Sequence, residues 1–150
     1  MSDLHDRIVK IALGQVGVRE SGGPNRGLPL ERYGLHGEDP LPWCARFVRW
    51  VVSQAGRDLP LNQWMAASVA RTEEAMGMMG WLHRDPQPGD IVFFSSRSGS
   101  DRGPGRHCGI VVRVDADRIA TVEGNRSDCV ATAIYPRAYK GVTSFGRLPS

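Results

Sequence analysis

The sequence contains no long apolar run, no dense block of charge and only a few cysteines. No apolar stretch approaches the roughly 18 residues that span a bilayer, and the first residues alternate charged and apolar side chains instead of forming the apolar core of a signal peptide. We therefore expect no membrane insertion, and synthesis in the cytoplasm without a signal peptide. The net charge is only +3, with no segment dominated by lysine and arginine, so a nucleic-acid partner is not expected.

Sequence patterns for metal sites and disulfide frameworks are absent as well. The three cysteines, Cys44, Cys108 and Cys129, include no C-x-x-C pair, and their odd number leaves at least one thiol outside any intrachain disulfide. No two of the four histidines stand three or four residues apart, the spacing of a helical zinc site. We expect neither a metal nor another cofactor.

The chain is predicted to form one domain over residues 1–150, because no repeat and no Gly/Ser-rich or Pro-rich linker divides it. Apolar residues recur at helical spacing over residues 3–16 and 44–55, and Asn62 can cap a third helix that continues through residue 70 and fades at Gly77 and Gly80. Residues 20–42 are rich in Gly and Pro and predict an irregular loop. Short segments with high β-propensity follow at residues 81–82, 91–94, 107–114, 118–123, 130–135 and 142–145. This order predicts an α+β fold, with N-terminal helices packed on an antiparallel sheet of about five to six strands.

Cys44 stands in the first turn of the second predicted helix, directly after Pro42 and Trp43. The positive end of a helix dipole favours the thiolate, which is the nucleophilic form of cysteine. The alternative is that Cys44 begins the buried apolar stripe of this helix, which is the more frequent role of a lone cysteine. Position alone therefore leaves both interpretations open.

His107 begins a predicted strand, and Glu123 and Asn125 share one face of the next strand because side chains alternate along a strand. Either of these two can orient His107 if all three lie on the same face. In an antiparallel pair this requires facing residue numbers with an even sum, produced by a three-residue loop at 115–117 or by a bulge. With that loop, His107 lies opposite Asn125 and diagonal to Glu123. The alternative places His107 on the surface, Glu123 at a solvated strand end and Asn125 in a turn.

A nucleophilic thiol, a base and a group that orients the base are the general requirements of cysteine catalysis. Cys44, His107 and the Glu123/Asn125 pair can supply them in this order along the chain. The backbone N–H of Cys44 is a candidate oxyanion donor, because the first N–H groups of a helix have no partner within the helix. Tyr33 is the candidate for a second donor.

Several segments resemble the CHAP family, the cysteine, histidine-dependent amidohydrolases/peptidases, a papain-like group that cuts peptidoglycan peptides. They occur in the family's order, as PWCARFVRW at 42–50, PGDIVFF at 88–94, HCGIVV at 107–112 and VEGN at 122–125, with related stretches at 17–20 and 23–25. The resemblance implies a papain-like fold with Cys44 as nucleophile, His107 as base and then acid, and Glu123 as orienting residue beside Asn125. The family's chemistry is metal-independent, and we predict no calcium at Glu31, Glu38 and Asp39, whose spacing is irregular.

Other positions complete the predicted site. Trp43, Tyr33 and Arg106 are assigned to substrate binding, since Arg106 ends a Gly-, Ser- and Arg-rich loop beside His107 that can meet an acidic substrate or simply be a solvated loop. Cys108 departs from the family, which favours an apolar residue there. On its strand it points away from His107, so we expect a buried thiol that can bridge to Cys129 only if the strands bring the two close.

The predicted function is acyl transfer by Cys44 on a peptide or amide bond of bacterial peptidoglycan, the expected partner. The alternatives are a catalytically silent wall-binding or virion module, and a cytosolic amidase that acts on a small conjugate. Without a signal peptide, action in the periplasm or cell wall requires phage lysis or delivery as a secreted effector. An effector would be paired with an immunity protein. We expect a monomer, and the sequence does not select the bond that is cut.

Overall fold

The computed structural model describes residues 2–19, 32–33, 43–61, 68–95, 106–126 and 129–150. In these ranges it contains the helices α1 (Asp3–Gly14), α2 (Cys44–Gln54) and α3 (Val69–Met78). The strands are β1 (Leu82–His83), β2 (Ile91–Phe94), β3 (His107–Val114), β4 (Arg118–Arg126), β5 (Cys129–Pro136) and β6 (Val142–Gly146). Helices precede strands, so the predicted α+β class is confirmed. The predicted loop at 20–42 lies almost entirely outside the described residues.

Helices α1 and α2 form where the apolar periodicity predicts them. Ser2 caps α1 by accepting a hydrogen bond from the His5 N–H at 3.3 Å, and the helix ends at Gly14, two residues before its predicted end. In α2 the buried residues follow helical spacing, and Gly56 with φ +93° ends the helix in the left-handed region. Each helix therefore presents one apolar face to the sheet.

Helix α3 differs from the prediction. Asn62, the predicted cap, lies outside the described residues, and the helix there begins at Val69, because Ser68 accepts a hydrogen bond from the Arg71 N–H at 3.2 Å. It also runs through Gly77, where an added Cβ would lie 3.1 Å from Leu82, and stops before Gly80, whose φ is +76°. The helix therefore ends between Gly77 and Gly80, the two glycines that are predicted to break its pattern.

The six strands form one antiparallel sheet in the order β1-β6-β2-β3-β4-β5. This confirms the predicted antiparallel sheet of five to six strands. Helix α2 packs against β3 and β4 in the middle of the sheet, and α1 also contacts β3. The start of β3 and the last part of β4 consequently lie beside the helix that carries Cys44.

The two faces of the sheet hold separate buried clusters, because neighbouring residues of a strand point to opposite faces. The helix-side cluster includes Ile91, Phe93, Cys108, Ile110 and Val122 from the sheet. The other cluster includes Val92, Phe94, Val111, Ile119 and Tyr135. His107 and Glu123 belong by this alternation to the face that carries Phe94 and Tyr135.

The β3–β4 hairpin reaches the register required for the site through a bulge. Next to the turn, Val114 pairs with Ile119, so facing residue numbers have an odd sum. The register then shifts between Val111 and Arg113, and Ile110 pairs with Val122, which restores the even sum. Residues 115–117 do separate the strands, but the predicted loop-only mechanism is wrong and the bulge alternative is confirmed. Of the helices in the described residues, none has the length and apolar character to cross a membrane.

Candidate active site

Three elements bring the predicted residues together. Cys44 is the first residue of α2, His107 is the first residue of β3, and Glu123 lies in the second half of β4. All three side chains are buried. Regular secondary structure therefore fixes the backbone of each group, which limits variation in their distances.

Gly124 allows α2 to approach the sheet at this point. A Cβ on residue 124 would lie 2.7 Å from the Cβ of Phe47 and 3.0 Å from the ring of Trp43, closer than real Cβ contacts allow. Both of these residues flank Cys44. The glycine is therefore required for the start of α2 to lie directly on β4, next to Glu123.

His107 and Glu123 form a buried hydrogen-bonded pair. The Nε2 atom of His107 donates to Oε1 of Glu123 at 2.7 Å. Gly109, two residues after His107 on the same face, leaves room for the carboxylate side chain, since a Cβ there would lie 2.6 Å from Cγ of Glu123. The backbone of β3 and the bulged register thus select this contact.

The second ring nitrogen of His107 is the one that remains for Cys44. Nδ1 is buried and has no oxygen or nitrogen partner among the described residues. Burial lowers the pKa of His107, but its hydrogen bonds and charge interactions with Cys44 and Glu123 outweigh burial and raise the pKa to about 9. At neutral pH the imidazole is therefore protonated and lies between two acidic groups.

Glu123 is held by more than His107. Thr121 donates its hydroxyl to Oε2 at 2.6 Å, and Tyr135 of β5 donates to the same oxygen at 2.7 Å. Burial alone would raise the pKa of Glu123, but the hydrogen bonds and charge of His107, with these two hydroxyl donors, hold the pKa below its usual value. Glu123 is therefore an anion that accepts hydrogen bonds at both oxygens.

Aromatic rings cover the imidazole of His107. Phe94 stacks on it with centroids 5.8 Å apart and an angle of 27° between the rings. Phe94 also packs on Tyr135 at 4.9 Å and on Tyr139 at 6.3 Å. These rings exclude water from one side of the His107–Glu123 pair and strengthen the electrostatic interaction within it.

Trp43 and Tyr33 pack against each other beside the start of α2. The Trp43 side chain is 0% exposed, and Tyr33 stacks on it with centroids 5.7 Å apart. The Tyr33 hydroxyl donates to Gln15 at 2.8 Å, and burial raises its pKa to about 12 although the charge of Arg32 lowers it. Their predicted contacts with substrate, and the oxyanion role of Tyr33, stay predictions. We assign both rings to the packing of α2.

Arg106 is ion-paired with Glu73 of α3. Thr143 and Ser144 of β6 each donate a hydroxyl to the other carboxylate oxygen at 2.6 Å. Burial raises the pKa of Glu73, but the hydrogen bonds from Ser144 and Thr143 and the charge of Arg106 hold it below its usual value. This cluster fixes the residue just before His107, and the substrate contact of Arg106 stays a prediction.

Asn125 belongs to β4, but its side chain lies outside the described part of the structure. Its predicted position beside His107 therefore stays a prediction. Among the described residues, no three His, Cys, Asp or Glu side chains form a cluster that could hold a metal ion. The calcium loop considered at residues 31–39 falls almost wholly outside these residues.

The remaining cysteines, Cys108 and Cys129, have different surroundings. Cys108 is buried in the helix-side cluster, and Cys129 donates its thiol to the Arg126 carbonyl at 3.3 Å. Strand β4 separates them, which places their backbones about 9–10 Å apart, beyond the ~7 Å that a disulfide can bridge. No disulfide joins the three cysteines.

Sequence reasoning missed Tyr135, Thr121 and Phe94 as parts of the site. Thr121 stands two residues before Glu123, and this spacing alone placed it on the same face. Tyr135 carried no such signal, because its contact depends on the β4–β5 register, in which Glu123 pairs with Ala131 and Ile119 with Tyr135. Phe94 pairs with His107 only in the folded sheet.

Comparisons with known proteins identify the family of the chain and support its fold. Residues 36–125, more than half of the chain, match the CHAP domain family. The chain is similar to the crystal structure of Ly7917 with the hydrolyzing product of MDP, at 17% identity and a TM-score of 0.59. The match covers 94% of this chain and 61% of the Ly7917 chain. A second structure of Ly7917 gives 20% identity and a TM-score of 0.56, with 94% and 60% covered.

The chain thus spans about three-fifths of the solved protein that it matches. No curated protein matches it. The matched residues of the family contain Cys44, His107, Glu123 and Asn125. On this match, the chain belongs to the CHAP domain family.

Proposed function

We propose that this protein is a cysteine hydrolase that cuts a peptide or amide bond in bacterial peptidoglycan. The observation that carries the proposal is the buried pair of His107 and Glu123, 2.7 Å apart, whose imidazole also interacts with Cys44 at the start of α2. These are the nucleophile, base and orienting group that acyl transfer needs.

Each residue has a distinct role in the proposed reaction. The protonated imidazole of His107 and the N-terminus of α2 favour the thiolate form of Cys44. The thiolate attacks the carbonyl carbon of the scissile bond, and His107 transfers its proton to the departing amine as the C–N bond breaks. Neutral His107 then takes a proton from a water molecule as the water oxygen attacks the thioester carbonyl. The C–S bond breaks, which releases the carboxylic acid product and regenerates the Cys44 thiolate.

The start of α2 also supplies an oxyanion donor. Trp43 at the N-cap position provides no side-chain cap to the first N–H groups of the helix. We propose the Cys44 N–H as one donor to the oxygen of the tetrahedral intermediate, since it lies in the first turn of α2, where backbone N–H groups point out of the helix end. Removal of such a donor typically lowers kcat about a hundredfold or more, which corresponds to an activation barrier higher by roughly 3 kcal/mol.

The substrate class follows from family membership and from Ly7917. The CHAP family cuts peptidoglycan peptides, and the structural neighbour Ly7917 has been solved with the hydrolyzing product of MDP. Both support a peptidoglycan fragment as the substrate of this chain. They favour an enzyme over a silent wall-binding module and over an amidase for small cytosolic conjugates.

The test uses purified peptidoglycan, with mass spectrometry of the released muropeptides and of new amino groups. The parent protein should release fragments with a single type of cut, while Cys44→Ala should release none and remain folded. Cys129→Ser is the matched control, because a hydroxyl can keep the hydrogen bond to the Arg126 carbonyl. Equal release by Cys44→Ala would contradict the proposal, and cleavage only of small conjugates would replace the substrate class.

We further propose that the protein acts in the periplasm or cell wall, reached through phage lysis or as a delivered antibacterial effector. Expression with and without an added periplasmic leader in a Gram-negative host tests the site of action. Lysis should require both the leader and Cys44. An effector role also predicts that a co-encoded immunity protein prevents this lysis.

A further inference from the structure

The carboxylate of Glu123 is fully buried, and its two oxygens have different partners. Oε1 accepts from His107 at 2.7 Å and lies 3.5 Å from Nη1 of Arg126. Oε2 accepts from Thr121 and Tyr135. A buried carboxylate is costly unless its lone pairs are satisfied, and His107 alone satisfies only one oxygen. The anion therefore depends on the two hydroxyl groups.

The direction of the Tyr135 hydrogen bond is fixed by Arg126. Nη1 of Arg126 lies 3.2 Å from the Tyr135 hydroxyl oxygen, and a guanidinium can only donate. The hydroxyl oxygen therefore accepts from Arg126, and its single proton points to Glu123 at 2.7 Å. The buried position of Tyr135 and the nearby charge of Glu123 also raise its pKa above its usual value, so it remains a donor.

The two donors come from different strands and converge on one oxygen. Thr121 lies on β4, the strand of Glu123 itself, and Tyr135 lies on β5. Together they prevent rotation of the carboxylate plane, so that Oε1 stays directed at Nε2 of His107. Nδ1 is then the nitrogen that serves the thiol. The hydrogen bonds that Thr121 and Tyr135 donate to Oε2 of Glu123 thus determine which nitrogen of His107 takes part in proton transfer.

We infer that Tyr135, together with Thr121, is a positioning residue of the active site, which holds Glu123 in the orientation and charge state that orients His107. This inference rests on the proposed hydrolytic function. Neither residue touches the reacting atoms, and both act through Glu123. Arg126, whose side chain is about one-third exposed, links the same hydroxyl to the surface.

The test compares Tyr135→Phe and Thr121→Val, which each remove one donor with little change in volume. Tyr139→Phe is the matched control, because Tyr139 belongs to the same aromatic cluster, 5.3 Å from Tyr135. On a soluble muropeptide, kcat should fall about tenfold or more in the two test variants, as expected for a hydrogen bond to a charged group, with KM within about twofold of the parent. Tyr139→Phe should retain the parent kcat.

The pH profile separates positioning from simple stability. Loss of a donor destabilises the Glu123 anion, so the carboxylate takes up a proton at higher pH, and the acid limb of kcat/KM should move upward. The charged or titratable groups that face Glu123 are His107, Arg126 and Tyr135. Thr121→Val removes none of these groups, so a shift of the acid limb in this variant reports the lost hydroxyl donor. An unchanged acid limb and kcat in both variants would overturn the inference, as would an equal loss in Tyr139→Phe.

A readout without turnover keeps this inference distinct from the proposed function. In ¹⁵N-histidine-labelled protein, the ring signals of His107 report protonation of its partner Glu123. Their acidic transition should move to higher pH in Tyr135→Phe and Thr121→Val. If peptidoglycan is not cut but this shift appears, the proposed function fails while the network stands; if cutting occurs and no shift appears, the network fails alone.

Discussion

The two faces of the sheet differ in what they bury. On the helix side, β2, β3 and β4 contribute apolar residues and the thiol of Cys108 to a core shared with α1 and α2. On the other face, near the start of β3, the sheet buries His107, Thr121 and Glu123 among aromatic rings. Packing on the helix side positions Cys44, and the polar contacts on the opposite face orient His107, the proposed base.

This division has an energetic basis. Apolar packing is tolerant of small changes and non-directional, which suits the placement of a helix. A buried polar network is directional, and each member is needed to satisfy another. Substitutions on the two faces should therefore fail in different ways.

The largest effect is expected from His107→Ala, on the polar face. It removes the proposed proton donor for the leaving amine and the proposed stabilising cation of the thiolate, so kcat on peptidoglycan fragments should fall about a thousandfold or more. The protein should stay folded, since Glu123 retains Thr121 and Tyr135 as donors. Activity within tenfold of the parent would remove His107 from the proposed reaction.

Gly124→Ala should break the approach of α2 instead. The added Cβ would collide with Phe47 and Trp43, so the start of the helix must move away from β4. A shift of about 1 Å at a reacting group costs roughly a hundredfold in rate, and the melting temperature should fall as well. Gly14→Ala is the matched control, because no atom lies within 4 Å of its added Cβ. Unchanged kcat in Gly124→Ala would show that the close approach is not needed.

The charge state of His107 predicts the alkaline limb of activity. Its pKa is raised to about 9 by Cys44 and Glu123 despite burial, so the imidazolium is complete below the ordinary value near 6.5 and is lost as pH rises through about 9. The contribution of the imidazolium to the free energy of unfolding is likewise complete below pH 6.5 and is lost as the pH rises through about 9. We expect kcat/KM to decline above pH 9, measured on a substrate that does not itself titrate there. A decline centred near pH 6.5 would show that the pairing with Cys44 and Glu123 does not raise this pKa.

The smallest effect on activity is expected from Arg147→Met, because its partner Asp90 bonds to Val111, four residues along β3 from His107. Arg147 donates to both oxygens of the buried Asp90 at 2.9 and 2.8 Å. Removal of one partner leaves an unpaired buried charge and should cost about 3 kcal/mol of unfolding free energy. Below the melting transition kcat should match the parent. A hundredfold loss of kcat without loss of stability would mean that this pair acts on the site.

Much of the fold was predictable from local patterns. The apolar spacing of Phe47, Val48, Val51 and Val52 predicted α2, and the two-residue period predicted that Glu123 and His107 share a face once the register is even. The start of α3 was not predicted, because the cap at Ser68 is recognised only from its hydrogen bond with the Arg71 N–H in the folded chain. The bulge at Val112 was only one of two ways to obtain the register.

The site was less predictable where contacts span distant parts of the chain. Tyr135 reaches Glu123 only through the β4–β5 register, and Tyr33 stacks on Trp43 only after the chain between them has folded back. The aromatic residue next to Cys44 suggested substrate contact, and its burial against Gly124 and Tyr33 could not be read from the sequence. Residue type predicted the reacting groups, and long-range packing determines which residues surround them.

The central claim is that Cys44 forms a covalent acyl intermediate during cleavage. The most direct measurement is the intact mass of the protein after acid quenching during turnover of a soluble muropeptide, followed by peptide mapping of the adduct. The account predicts a mass increase equal to the acyl part of the substrate, located on the peptide that contains Cys44 and absent in Cys44→Ala. Continued turnover by Cys44→Ala, or an adduct on another residue, would contradict it.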